Sequence, residues 1–239
     1  MDLYNPETDP DIKEHYQVNR RTGKKACKTD LLEEMKWEDN GQPVIGIVTR
    51  FVAHKGIHLI QYAFQEMLEL GCRFVILGSG EKIFEDFFRE MQLQHPEQVS
   101  VHIGFLPQMA KRIYAGADIF LMPSQNEPCG LAQMVAMRYG TIPIVRETGG
   151  LKDTVEPYNE FEKCGTGFTF HNYNADDLLY TINYAKNIYF NHREDWNDII
   201  QRGMEKDFSW GSSALQYQGM YDWILRGICL LYTSDAADD

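Results

Sequence analysis

The sequence predicts an α/β fold built on a doubly wound parallel sheet. Short runs rich in apolar and β-branched residues alternate with stretches of helical periodicity along most of the 239 residues, as in strand–helix–strand units with right-handed crossovers. Some of these runs are apolar on both faces, as a central strand covered by helices on each side must be. Each glycine-rich or charged loop follows a strand, which puts the polar chemistry at the carboxyl edge of the sheet, where such folds bind ligands.

Residues 1–23 carry Pro6, Pro10 and Gly23 but little apolar periodicity, and predict a linker or surface wrap. Leu31, Leu32 and Met35 mark a short amphipathic helix over 24–36, with Lys24, Lys25 and Lys28 as its solvated face. Residues 43–49 form the first strand, and Leu59, Ile60, Ala63, Phe64, Met67 and Leu68 define a helix over 57–70. The pattern then repeats: a strand at 73–77, a tight turn at Gly78-Ser79-Gly80, a helix over 81–94 and a strand at 99–103. A turn at Gly104-Phe105, a helix over 107–115 and a strand at 118–122 follow. The loop Pro123-Ser124-Gln125-Asn126-Glu127-Pro128-Cys129-Gly130 opens a helix reaching Tyr139. Residues 141–145 are a strand, 148–150 a glycine loop, 151–155 a short helical turn and 167–170 the last strand. Helices over 174–190, 194–206 and 212–226 complete the pattern, with Asp176 and Asp177 in the first turn that the helix dipole favours. The whole is a Rossmann-like doubly wound sheet.

A formal net charge of −12 argues against nucleic acid or an anionic membrane surface as the main partner. No apolar run approaches the ~20 residues that span a bilayer. The five cysteines, Cys27, Cys72, Cys129, Cys164 and Cys229, are scattered and fit reduced thiols in the cytoplasm. Residues 229–239 resemble the translation of a transposon-type sequencing adapter, and the turn-rich stretch behind Met1 reads as the inside of a longer protein.

Arg50 and Lys55 flank the loop after the first strand, where a guanidinium fork and an ammonium suit phosphate. Gly78 and Gly80 mark a turn of positive φ. Thr148-Gly149-Gly150 marks either a turn or a close backbone approach to ligand. Phe105 either stacks on a nucleobase or packs in the core. Glu127 offers a general base, a nucleophile or an anchor for sugar hydroxyls, against the alternative of a helix-end charge. Cys129 is either a thiol activated near a helix start or a packing residue. His54 and His58 share i, i+4 spacing, but Lys55 and Gly56 interrupt the helix and disfavour a metal site there. These residues reach a sugar nucleotide as ligand and stop short of the reaction.

Seven motifs occur in one order: Thr49-Arg50-Phe51-Val52-Ala53-His54-Lys55-Gly56, Leu77-Gly78-Ser79-Gly80, Tyr114-Ala115-Gly116-Ala117-Asp118, Met122-Pro123-Ser124, Glu127-Pro128-Cys129-Gly130-Leu131, Arg138-Tyr139-Gly140-Thr141-Ile142-Pro143 and Thr148-Gly149-Gly150-Leu151-Lys152-Asp153-Thr154-Val155. Together they resemble the C-terminal half of the bacterial glycogen synthase and plant starch synthase family, glycosyltransferase family 5, over residues 1–228. The resemblance implies a GT-B enzyme with two Rossmann-like domains and a cleft between them. On it, residues 1–40 are an interdomain linker with a short helix, 41–228 the nucleotide-sugar domain and 229–239 the adapter. The activity implied is retaining transfer of glucose from ADP-glucose to the non-reducing 4-OH end of an α-1,4-glucan.

Carried over by position, Arg50 and Lys55 bind the diphosphate and stabilise its developing charge, and Glu127 lies beside the donor glucose. Gly78, Gly104 and Phe105 match the nucleotide pocket. The backbone at Cys129, Gly130 and Leu131 adjoins sugar and phosphate, and Thr148, Gly149 and Gly150 line the donor site. No metal or other cofactor is implied. His54, Phe105 and Ala132 depart from the family's usual Gln, Tyr and Thr. The glucan would be held through an N-terminal domain absent from these residues. The chain alone is therefore expected to be inactive, with Trp210, Tyr217, Tyr221 and Trp223 exposed. Two alternatives are a GT-B transferase of different donor or acceptor and a non-catalytic nucleotide-binding module.

Overall fold

The structure, a computed structural model, describes residues 3–234. Two units are distinguished, Asp2–Lys206 and the segment from Asp207 onward. In the first, six parallel strands lie in the order β3-β2-β1-β4-β5-β6. They are β1 (Val44–Phe51), β2 (Arg73–Gly80), β3 (Val99–Ile103), β4 (Ile119–Met122), β5 (Ile142–Arg146) and β6 (Phe168–Phe170). Helix α1 (Thr22–Glu34) precedes the sheet, and α2 (Ile57–Glu69), α3 (Lys82–Gln94), α4 (Pro107–Gly116), α5 (Ala132–Arg138) and α6 (Gly149–Thr154) lie between the strands. After the sheet come α7 (Ala175–Asn191), α8 (Arg193–Glu205) and, in the second unit, α9 (Trp210–Ser234). The fold class and the order of elements agree with the sequence. The strand order reverses between β1 and β4, so their following loops diverge and leave a crevice at the carboxyl edge.

The apolar periodicity of α2 buries Ile60, Ala63, Phe64 and Met67 against the sheet, where Phe64 meets Phe74 at 5.1 Å between ring centroids. The larger of these, Ile60, Phe64 and Met67, each contribute about 1.5–3 kcal/mol. A second cluster, with Leu31, Leu32, Val75, Leu77 and Ile113, joins α1 and α4 to the sheet.

Three expectations are corrected. The first strand does not stop at residue 49: β1 stays in register with β2 to Phe51↔Gly80, so Arg50 lies within the strand. Gly78 and Gly80 are accordingly extended residues of β2 rather than a positive-φ turn. A Cβ on Gly78 would come within 1.9 Å of the Thr49 carbonyl oxygen, and one on Gly80 within 2.2 Å of that of Phe51.

Nor is residues 1–23 a mere surface wrap. Asp9 is buried and accepts bonds from Tyr139 Oη (2.5 Å) and Lys111 Nζ (2.9 Å), while Tyr16 Oη donates to the Tyr139 carbonyl (2.8 Å). Ile12 and Tyr16 are buried with it. The third correction concerns α1. Lys24 Nζ donates to the Ala115 and Ala117 carbonyls (both 3.1 Å) and to Thr141 Oγ1 (2.8 Å), and burial draws its pKa down to about 7. Lys28 pairs with Asp118 at 2.8 Å. Only Lys25 is on a solvated face, because α1 docks on α4 along the side that carries the other two.

The Asp9 cluster makes stability acid-sensitive. Burial alone would raise the Asp9 carboxyl, but the bonds from Tyr139, the Asp11 amide and Lys111 outweigh it and hold the group below its ordinary value of 3.8. A depressed carboxyl stabilises the fold above the unfolded pKa, and that contribution is lost as pH falls through the folded one. Asp9→Asn should therefore cost about 3 kcal/mol at pH 7 and flatten the loss of stability below pH ~4. Urea unfolding at pH 7 and pH 3 measures both; equal stabilities at pH 7 would exclude the cluster as an anchor.

In the second unit, Trp210, Tyr217, Tyr221 and Trp223 of α9 are exposed, as expected. Of the 229–239 tail, residues 235–239 lie outside the described residues. Among the described residues no helix is long and apolar enough to cross a membrane.

Candidate functional site

At the reversal point the loops after β1 and β4 are joined through main chain. After β1 comes a 3₁₀ turn, Ala53–Lys55, closed by Gly56 at φ 81°. A Cβ on Gly56 would lie 2.2 Å from the Pro123 carbonyl oxygen, and the Gln125 amide donates to the His54 carbonyl at 2.9 Å. Glycine is thus required at 56 by both conformation and contact. Gly56→Ala should destabilise the fold by about 2–4 kcal/mol; a loss under ~1 kcal/mol in chemical denaturation would show that the loops yield.

That junction sets Lys55 across from Glu127, 72 residues later in the chain, and Lys55 Nζ donates to Glu127 Oε2. Their side chains are 15% and 9% exposed, so the pair is shielded from water. Ser124 Oγ adds a longer bond to the same carboxylate oxygen, at 3.4 Å. Glu127 is not a helix-end charge: α5 begins only at Ala132, after Gly130 has taken φ 72°.

The β5 loop supports Glu127 from behind. Gly150 N donates to the carbonyls of Glu127 and Pro128, both at 3.2 Å. A Cβ on Gly149 would meet the Glu127 carbonyl oxygen at 2.3 Å, and one on Gly150 the Cys129 oxygen at 2.1 Å. These glycines, expected in a loop, instead open α6, and they serve a backbone-to-backbone contact between its first turn and the Glu127 loop. Arg146, at the end of β5, donates from Nη1 to the Gln125 carbonyl (2.7 Å) and lies over the Tyr173 ring at 5.6 Å. Gln133 Nε2 ties down the Cys129 and Gly130 carbonyls at 3.2 and 3.0 Å.

A second recess, of about 300 Å³, lies over β1 and β2. Arg50, Gly78, Gly104 and Phe105 line it, with Tyr4 and Tyr114. Phe105 is 91% exposed, which removes the core alternative. Gly104 adopts φ 136° and its amide donates to the Gly78 carbonyl at 2.9 Å. The predicted residues thus form two groups. Arg50, Gly78, Gly104 and Phe105 share the recess; Lys55, Glu127, Cys129, Gly130, Thr148, Gly149 and Gly150 belong to the joined loops, with Leu131 exposed beside them.

Sequence reasoning missed Tyr4, Ser124 and Arg146. Arg146 was findable by the rule that selected Arg50, a cation at a strand's carboxyl end; Tyr4 carried no such signal. Among the described residues no three His, Cys, Asp or Glu side chains gather as a metal would require.

The family described as "Glycosyl transferases group 1" matches residues 32–202. A glycogen synthase of Lachnospira eligens is 49% identical over 223 residues, 92% of this chain and 47% of that protein. One from Geobacillus stearothermophilus is 46% identical over 228 residues, 94% of this chain and 46% of its own. Among solved structures, the catalytic domain of starch synthase IV from Arabidopsis thaliana, bound to ADP and acarbose, superposes with a TM-score of 0.84 at 37% identity. That match covers 92% of this chain and 46% of the plant one. The chain spans about half the length of these relatives.

Proposed function

Because the chain belongs to the group 1 glycosyl transferases, we propose that it is the donor-binding half of a retaining glucosyltransferase. In the whole protein it would move glucose from ADP-glucose to the non-reducing 4-OH end of an α-1,4-glucan. The observation that carries this reading is the shielded Lys55–Glu127 pair, set at the sheet's reversal point by loops locked through their main chains. Such a site holds charge in a fixed geometry with little reorganisation. The likeness to glycogen synthases across nearly the whole chain supports the choice of donor and acceptor.

In this reading Arg50 and Lys55 hold the diphosphate and stabilise the charge that develops on it as the glucosyl bond breaks. Glu127 accepts bonds from donor-glucose hydroxyls, and its own pairing keeps Lys55 beside the sugar. The recess with Arg50, Gly78, Gly104 and Phe105 takes the nucleotide, with Phe105 stacking on the base. The backbone of Cys129, Gly130 and Leu131, with Thr148, Gly149 and Gly150, lines the donor. The two cations supply the charge a metal would otherwise bring, so no cofactor is assigned. The glucan is held by the other half of the protein, and the cytoplasm is the proposed location.

The test joins this chain to the N-terminal half of a related glycogen synthase and follows labelled glucose from ADP-glucose into glycogen. Incorporation is expected. A folded product that binds ADP yet transfers nothing would instead favour a nucleotide-binding module.

A further inference from the structure

We propose that the groove between edge strand β6 and α7 binds a second stretch of neutral α-1,4-glucan, away from the donor site; the choice of this polymer rests on the function proposed above. The groove has a volume of about 850 Å³, enough for an oligosaccharide, and no lysine or arginine lines it. Four carboxylates do: Glu147, Glu160, Asp176 and Asp177. Phosphates, nucleotides and nucleic acids are repelled by such a surface.

Its aromatic residues are arranged for a flat ligand. Tyr180 is 74% exposed on α7, and Tyr184, one helical turn on, lies on the same face. Tyr158 packs beside Tyr184, with ring centroids 6.3 Å apart and planes at 32°. The tyrosines thus run from Tyr180 in solvent, through half-buried Tyr184, to buried Tyr158 at the sheet edge, and Tyr180 offers the open ring. Sugar rings present C–H faces to such rings and hydroxyl donors around their rims, and carboxylates are acceptors for those donors.

Two of the acids are already held in place. Glu147 accepts from Thr169 Oγ1 at 2.7 Å and has His171 Nδ1 at 3.5 Å from its other oxygen, and Asp177 accepts from the Asn172 amide and Nδ2 at 3.1 and 3.0 Å. They are positioned acceptors with lone pairs remaining, a better match to hydroxyls than to a mobile cationic peptide. Glu160 and Asp176 are exposed at the opening and enter no ion pair among the described residues. One lining residue is next in sequence to residues that hold the Glu127 loop. Glu147 stands between Arg146, which holds the loop of Glu127, and Thr148, which opens the glycine pair beneath it.

The experiment titrates the full 239-residue chain with maltoheptaose by calorimetry, with cellohexaose and a lysine decapeptide in parallel. Maltoheptaose is expected to bind and cellohexaose to bind at least about 10-fold more weakly. Tyr180→Ala should weaken maltoheptaose about 10-fold, whereas Tyr180→Phe keeps the ring and the binding. ADP affinity should be the same in all three proteins, since Tyr180 is exposed and touches neither donor loop nor recess. Maltoheptaose binding that survives Tyr180→Ala, no binding at all, or binding of the lysine peptide alone would each overturn the proposal. If instead Tyr180-dependent binding holds while the joined enzyme fails to transfer glucose, the groove stands and the catalytic reading falls.

Discussion

Lys55→Ala in the joined enzyme is expected to slow glucose transfer by about 10²–10³-fold, the usual effect of removing one preorganised charge from a transition-state site. Two losses combine. The diphosphate loses a cation where its charge develops, and Glu127, only 9% exposed, is left without its counter-charge. The second loss separates a catalytic lysine from a structural one. If Lys55 only neutralised Glu127, Lys55→Ala combined with Glu127→Gln would regain parental ADP affinity, because no buried charge would remain. Under the proposed role the double variant stays weak for ADP and slow in transfer. Initial rates with labelled ADP-glucose, and calorimetry with ADP, read both. Transfer within threefold of the parent in Lys55→Ala would remove the residue from the mechanism.

The 239-residue chain by itself should transfer glucose at least about 10⁵-fold more slowly than the joined enzyme. On the proposed function, its own residues offer charge and a cradle for the donor, while aligning an acceptor hydroxyl against the anomeric carbon would depend on a second wall. Orientation of that kind is worth roughly 7–11 kcal/mol of barrier. ADP binding, which on the proposed function uses the residues present, should survive in the isolated chain. Rates measured at equal molar concentrations with saturating glycogen decide the matter, and comparable turnover by the chain alone would contradict the division of labour between the two halves.

The sheet was legible in the sequence because its signals are local. The residue 43–49 run and the 3.6-residue period of α2 declare a strand and a helix without reference to any partner. The misreadings share the opposite property. Gly78-Ser79-Gly80 looks like a turn because glycines punctuate turns, yet these glycines are needed because Thr49 and Phe51 crowd them from the neighbouring strand. Asp9 and Tyr16 lie in a stretch with no periodicity, and what anchors them is Lys111 and Tyr139, more than 100 residues away. Lys24 and Lys28 look like a wet helix face until α4 is docked against them. At the candidate site, the placement of most residues along the carboxyl edge of the sheet followed from strand ends alone. The pairing of Lys55 with Glu127 did not, since it arises from a junction between two loops that only the folded chain brings together.

The way the Glu127 loop is held has a consequence for altering the protein. Its course is set almost wholly by main-chain contacts: Gly56 under Pro123, Gly149 and Gly150 behind residues 127–129, and the carbonyls tied by Gln133 and Arg146. The side chains of Asn126, Pro128, Cys129 and Leu131 face outward and bear little of that duty. Variation at these four positions, by evolution or in a mutant library, can reshape the loop's outer rim while leaving the backbone beneath it in place. The same library at the glycines would mostly return unfolded protein.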